Sequence, residues 1–245
     1  MLFRSNYSYS NLLHPDVFVS SRNIEAELIK NLLGFFGGNV KDSCGVTTYN
    51  PSECLILVIL AYMHLTKKNN PEVLVSEACP SIYYKVAQLI NVKLRFLPVD
   101  NEGKVLVDNM KSIIKKHREN IVCAIGLYPN NAFGTADDIE RMANICLTEK
   151  LHFHVDASYG AFQAAFSRDS TLYKRFDFSL PGVSSLSANL SSFAKCPTGI
   201  CFIGYRNREI RKNHYFLFGK WMGGMYASPT LPGSRVGSLV VTAFI

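Results

Sequence analysis

The stretch "IVCAIGLYPNNAFGTADDIERMANICLTEKLHFHVD", residues 121–156, decides the fold. Ile121–Leu127 is a short apolar run rich in β-branched residues. A turn-forming segment follows, then a helix is expected over Asp138–Glu149 and a second strand over His152–Val155. Short buried strands separated by helices of about ten residues mark a parallel sheet with crossover helices. The same alternation extends toward the N-terminus through strand Val73–Val75, helix Ser81–Ile90, strand Lys93–Leu97 and a helix around Val107–His117. Toward the C-terminus Ser184–Ser187 and Ile200–Tyr205 are the next strands. The fold class is therefore α/β, with a mainly parallel central sheet flanked by helices. Ligands of such open sheets sit beyond the carboxyl ends of the strands. That rule places Asp156 and the loop "YPNNAFG" on one rim.

Ahead of the alternating part, Asn11–Phe18 is expected to be extended, so residues 1–20 form a lead-in and 21–245 the domain itself. Ser20 or Ser21 offers a cap for a helix with apolar face Ile24, Leu28, Leu32 and Phe35, ending at Gly37-Gly38. Gly45–Ser52 is expected to be a polar turn, with Ser52 capping an apolar helix over Cys54–Leu65. The positive end of a helix is where a phosphate binds.

With 245 residues, 48% hydrophobic and 18% charged, the chain can bury a large core. A formal charge of +7 raises the question of a polyanion partner. The basic groups Lys111, Lys115, Lys116, Arg118 and Arg206, Arg208, Arg211, Lys212 lack interleaved aromatics, which argues for solvated faces and against nucleic acid. Seven cysteines without a CxxC pair read as reduced, buried thiols, and no metal site is expected. The opening residues are not expected to be a signal peptide, and the apolar window Cys54–Met63 is too short to span a bilayer. The final "GSLVVTAFI" is an uncapped apolar run, expected either from a truncated domain or from a surface that a partner covers.

Five segments together, "NLLHPDVF" (11–18), "CGVTTYNPSE" (44–53), "HVDASYGAF" (154–162), "FDFSLPGVSSLSA" (176–188) and "GGMYASPTLPGSR" (223–235), resemble the pyridoxal-phosphate-dependent sphingosine-1-phosphate lyases of the group II decarboxylase superfamily. The resemblance implies the large domain of a fold-type I pyridoxal-phosphate-dependent transferase, dimeric, with pyridoxal 5'-phosphate as cofactor. It implies retro-aldol cleavage of a phosphorylated sphingoid base to a fatty aldehyde and phosphoethanolamine. The family's small C-terminal domain is expected to be missing from this chain.

Carried over residue by residue, the resemblance makes Asp156 the partner of the cofactor's ring nitrogen and Ser52 the surviving hydroxyl of the phosphate cradle. The family's Ser-Gly-Gly-Thr-Glu becomes Tyr49, Asn50, Pro51, Ser52 and Glu53, and its ring-stacking histidine falls on Pro80. In "SLSANLSSFAKCPTG" (185–199) the Schiff-base lysine position is Ser192, the neighbouring histidine position is Ser191 and the second lysine position is Thr198. Lys195 is the one nearby lysine that could substitute. Tyr226, Ser228 and Arg235 are implied near the substrate or cofactor phosphates, or else persist as a packed turn.

Serine forms no imine, so the expectation is a lyase-like chain that is catalytically inactive. Alternatives are a partner subunit, in a homodimer or in a heterodimer with a full-length lyase paralogue, or a non-functional gene fragment. The expected location is cytoplasmic, at the cytosolic face of the endoplasmic reticulum through a partner.

Overall fold

The computed structural model describes residues 6–39, 41–166 and 174–245. Seven strands form one sheet: β1 Cys44–Thr48, β2 Glu72–Ser76, β3 Lys93–Leu97, β4 Ile121–Leu127, β5 His152–Asp156, β6 Ser185–Asn189 and β7 Cys201–Tyr205, in the order β1-β7-β6-β5-β4-β2-β3. The five from β6 to β3 are parallel, while β7 runs antiparallel to β6 and β1 antiparallel to β7. Strands buried on both faces need apolar residues throughout, which is how the parallel β4 and the antiparallel β7 are composed. The α/β expectation holds, and every strand foreseen is present, Lys93–Leu97 and Ile121–Leu127 unshifted and the others with ends moved by at most two residues.

Two apolar layers cover the sheet. On one face lie α1 Val19–Phe35, α4 Met110–Lys116, α5 Ile139–Thr148, α6 Ala161–Phe166 and α8 Gly237–Phe244, meeting Leu74, Phe153, Leu186 and Phe202. On the other, α2 Pro51–Thr66, α3 Ile82–Leu89 and α7 Arg208–Arg211 meet Val75, Ile125, Ile203 and Tyr205. Each fully buried Leu, Ile or Phe of these layers contributes about 1.5–3 kcal/mol. The final apolar run is α8, which packs on α1 with Val240 and Val241 buried, while Phe244 and Ile245 stay exposed.

Several local expectations are corrected. Cys44–Thr48 is not a turn but the edge strand β1, held because all five of its residues are buried beside β7. Ser52 does not cap α2. Asn50 does, its side chain accepting from the Glu53 N–H at 3.0 Å, with Pro51 at the first helical position where it needs no donor. Ser20 and Ser21 lie inside α1, which begins at Val19 with no side-chain cap. The lead-in is a series of turns that bridges Asn11 to Val236, not an extended segment, and residues 1–5 of it lie outside the described residues. A two-stranded ribbon, β8 Phe216–Trp221 with β9 Gly224–Ser228, stands apart from the main sheet.

Of the basic groups, Lys111, Lys115, Lys116, Arg118, Arg208 and Lys212 are exposed, as solvated faces should be, and Arg206 and Arg211 are half-buried. Arg206 donates to the carbonyls of Phe178, Leu180 and Val183, and Lys111 and Arg118 both meet Glu149. All seven cysteines are free thiols, six of them buried. Among the described residues no helix is long and apolar enough to cross a membrane, and no cluster of metal-ligating side chains occurs.

Candidate functional site

Three parallel strands end side by side. Leu127 of β4 pairs with Asp156 of β5, and Asp156 with Ser187 of β6. Beyond these ends lies a cavity of about 350 Å³. Its walls come from Pro51 of α2, the α3 entry Pro80–Ile82, the loop residues Pro129 to Asn131, Asp156, Ser158 and Tyr159 after β5, and Asn189 and Ser192 after β6. Residues far apart in sequence thus reach one rim because each closes its strand or opens its helix there.

Asp156 is held firmly. Its Oδ2 accepts from the Tyr83 hydroxyl at 2.7 Å, and its Oδ1 accepts from the Ser158 N–H at 3.1 Å and the Ser187 hydroxyl at 3.3 Å. Tyr83 is buried, and burial followed by the adjacent Asp156 charge pushes its phenol well above the ordinary range, so it remains a donor. Behind this lies a second layer. His154 bonds Ser187 through Nε2 at 3.1 Å and Ser185 through Nδ1 at 2.8 Å, and Ser185 in turn bonds the Tyr62 hydroxyl at 2.6 Å. Burial lowers the pKa of His154 to about 4, so the ring is neutral at physiological pH.

The turn after β6 is organised by Asn189. Its Oδ1 accepts from the Ser191 N–H at 3.1 Å and the Ser191 hydroxyl at 2.7 Å, and its Nδ2 donates to the Ser192 hydroxyl at 3.1 Å. Ser192 lines the cavity, whereas Ser191 and Thr198 do not. Lys195 is exposed and also off the cavity wall, in a loop where both it and Phe193 have φ near 59°. No lysine lines the cavity among the described residues.

At the start of α2 few donors remain for an anion. Pro51 has no N–H, the Glu53 N–H is taken by Asn50, and the Cys54 N–H bonds the Asn50 carbonyl at 3.2 Å. That leaves the N–H of Ser52. Glu53 itself turns away and accepts from the Tyr49 N–H at 2.8 Å and the Leu231 N–H at 3.2 Å, its carboxyl raised by burial.

Tyr226, Ser228 and Arg235 do not reach this cavity. Arg235 is buried and pairs with Glu25 at 2.7 Å, while its Nη1 also donates to the Thr47 carbonyl at 3.1 Å and hydroxyl at 2.8 Å. The Ser228 hydroxyl donates to the Thr230 carbonyl at 2.7 Å. Tyr226 lies on β9, its ring 6.1 Å from that of Phe216. Tyr83, Asn130, Ser158 and Tyr159 are site residues that sequence reasoning did not single out. Only the loop holding Asn130 was signalled, by its position after a strand. Nothing in the sequence ties Tyr83 to Asp156, 73 positions away.

A pyridoxal phosphate bound here would meet a fitting ring-nitrogen acceptor in Asp156. It would meet no amine at Ser192 and a single free N–H at the phosphate end. The donor set therefore does not fit the covalently held cofactor.

Comparison with known proteins gives the family. A family model described as the pyridoxal-dependent decarboxylase conserved domain matches residues 29–223. The chain is 32% identical over 243 residues to sphingosine-1-phosphate lyase 1 of Rattus norvegicus, covering 97% of this chain and 42% of that protein. It is 35% identical over 243 residues to the sphingosine-1-phosphate lyase of Saccharomyces cerevisiae, covering 96% and 41%. The chain thus spans about two fifths of the length of these relatives. A solved sphingosine-1-phosphate lyase of Burkholderia pseudomallei superposes with TM-score 0.92 at 25% identity, over 99% of this chain and 58% of that one. A glutamate decarboxylase of Lactobacillus brevis shares the fold, with TM-score 0.84 at 17% identity, over 99% and 58%.

Proposed function

The chain belongs to the pyridoxal-dependent decarboxylase family, and from that premise we propose that it is a sphingosine-1-phosphate lyase-like protein that does not perform the family's covalent chemistry. The observation that carries this is Ser192: it lines the cavity at the position the family resemblance gives to the Schiff-base lysine, and no lysine lines that wall among the described residues. A serine hydroxyl offers no amine to condense with an aldehyde. Loss of the same group as a proton shuttle removes a further ~10²–10⁴-fold in rate. Lys195 does not replace it, because it points from an exposed loop and productive geometry tolerates about an ångström of misplacement.

The test is to titrate the purified chain with pyridoxal phosphate, add borohydride and map the peptides. The expected result is no absorbance band of a covalent adduct and no modified peptide. A cofactor reduced onto Lys195, or onto another lysine in stoichiometric yield, overturns the reading, as does turnover of a phosphorylated sphingoid base.

One observation favours a role as a subunit. The ribbon β8–β9 exposes Phe216, Leu217, Trp221, Met222 and Met225 together, and clustered exposed apolar side chains mark interaction surfaces. A second copy, or a full-length lyase paralogue at the cytosolic face of the endoplasmic reticulum, is the proposed partner. Of the residues the resemblance places near a phosphate, Tyr226 on this ribbon is the one such a partner can meet, since Arg235 is sealed by Glu25. Light scattering of the purified chain should give a dimer, or co-expression a stable complex with the paralogue. A monomer at tens of micromolar that ignores the paralogue counts against it.

A further inference from the structure

Resting on the reading that the cavity forms no covalent adduct, we infer that it takes a small, unphosphorylated organic cation, a protonated amine or ring nitrogen, held noncovalently against Asp156. The position is that of a ligand site, at the carboxyl ends of parallel strands. The volume of about 350 Å³ is also that of a small-molecule pocket.

Charge then selects the ligand. Asp156 is the only acidic residue on the wall, and no lysine, arginine or histidine lines it among the described residues. Three donors hold Asp156, namely the Tyr83 hydroxyl, the Ser158 N–H and the Ser187 hydroxyl. A carboxylate has about four acceptor positions, so about one is left for a donor in the cavity. Tyr159, half exposed on the same wall and edge-on to Phe193 at 5.8 Å, adds an aromatic face that attracts cations. A phosphate finds the opposite conditions: no cation on the wall among the described residues, and the like charge of Asp156. The cavity's preference thus runs against the anionic end of the family's cofactor while keeping the acceptor for its ring.

The experiment is calorimetric titration of the full chain with pyridoxamine and, separately, pyridoxamine 5'-phosphate, which share the ring and amine and differ in the phosphate. Pyridoxamine is expected to bind at least ten-fold more tightly than its ester. Asp156→Asn should weaken it at least ten-fold, and Ser192→Lys, at a partly exposed position, should reverse the preference by adding a cation to the wall. An ester that binds as tightly as pyridoxamine, no saturable binding of pyridoxamine, or an unchanged affinity in Asp156→Asn each overturns the inference. Should Asp156→Asn not fold, a preference retained in Ser192→Lys overturns it instead. Neither probe carries an aldehyde, so the result is independent of the borohydride trapping with pyridoxal phosphate that tests the proposed function.

Discussion

Arg235 shows how residue type and residue role separate. An arginine in "GGMYASPTLPGSR" is chemically suited to a phosphate, yet its guanidinium is buried against Glu25 and Thr47, with its Nε left without a partner among the described residues. It ties together the turn containing Arg235, helix α1 and edge strand β1. Removing one member of such a buried pair leaves the other uncompensated, at roughly 3–5 kcal/mol. Arg235→Ala should therefore lower the urea midpoint by an amount equal to at least ~3 kcal/mol, and Arg235→Lys by less, because the charge stays but the two-pronged contact goes. A loss below about 1 kcal/mol in Arg235→Ala would show that the pair is not what holds this corner. At the same scale, Asp156 and Ser192, singled out through the family resemblance, both line the cavity. Tyr83 and Tyr62 were not singled out, because their hydroxyls find partners only through tertiary packing, and a buried hydroxyl looks like any core tyrosine in sequence.

Elements were legible where burial imposes a pattern and hidden where it does not. Strands β2 and β4 announce themselves as apolar runs, whereas β3 "KLRFL", β5 "HFHVD" and β6 "SLSAN" were legible from their place in the alternation with helices. Strand β1, "CGVTT", carries a glycine and two threonines just before an Asn-Pro pair, which imitates a turn, and the exposed ribbon β8–β9 has no buried face to set a period. The start of α2 was legible in position but not in mechanism. Asn50, rather than Ser52, supplies the cap, so Asn50→Ala should cost about 1 kcal/mol in thermal or urea unfolding while Ser52→Ala costs a few tenths. Equal losses in the two variants would return the cap to Ser52. Between α5 and the entry to β6 the packing is tighter still, since a methyl group at Gly182 would lie 2.0 Å from the Ala143 carbonyl oxygen. Backbone cannot yield as a flexible side chain does. Gly182→Ala should destabilise the chain by about 1–3 kcal/mol or more, and a variant as stable as the parent would mean that α5 is free to shift.

At the scale of the whole molecule, the topology follows from one physical demand, that strands buried on both faces be covered by helices on both. That demand was visible in the alternation of residues 73–155. The antiparallel return of β7 and β1 was not, because direction leaves no mark in a short apolar run. The same two-sided burial makes the molecule sensitive to acid. Burial lowers His154 to about 4 and His214 to about 3, and lowers His152 as well. With folded-state values below the unfolded value of 6.5, these groups bind fewer protons folded than unfolded. Their stability is therefore complete above pH 6.5 and lost as pH falls through the folded values. Asp137 acts in the opposite sense. Its carboxyl is raised by burial from 3.8 to about 6, so it takes up a proton more readily in the folded state and offsets part of the loss over that window. A tenfold difference in proton affinity between the folded and unfolded chain is worth about 1.4 kcal/mol, and the two strongly perturbed histidines outweigh the raised carboxyls of Asp137 and Glu53, so a net loss on the order of a few kcal/mol is expected between about pH 6.5 and 4. Urea unfolding at pH 7.0, 5.5 and 4.5 should give falling midpoints. His214→Phe, which keeps the buried ring but cannot take a proton, should be less stable at pH 7 for want of its bond to Tyr205, and less dependent on pH below 6.5. Midpoints that stay level to pH 4.5, or a slope unchanged in His214→Phe, would mean that these imidazoles are not the groups through which acid opens the fold.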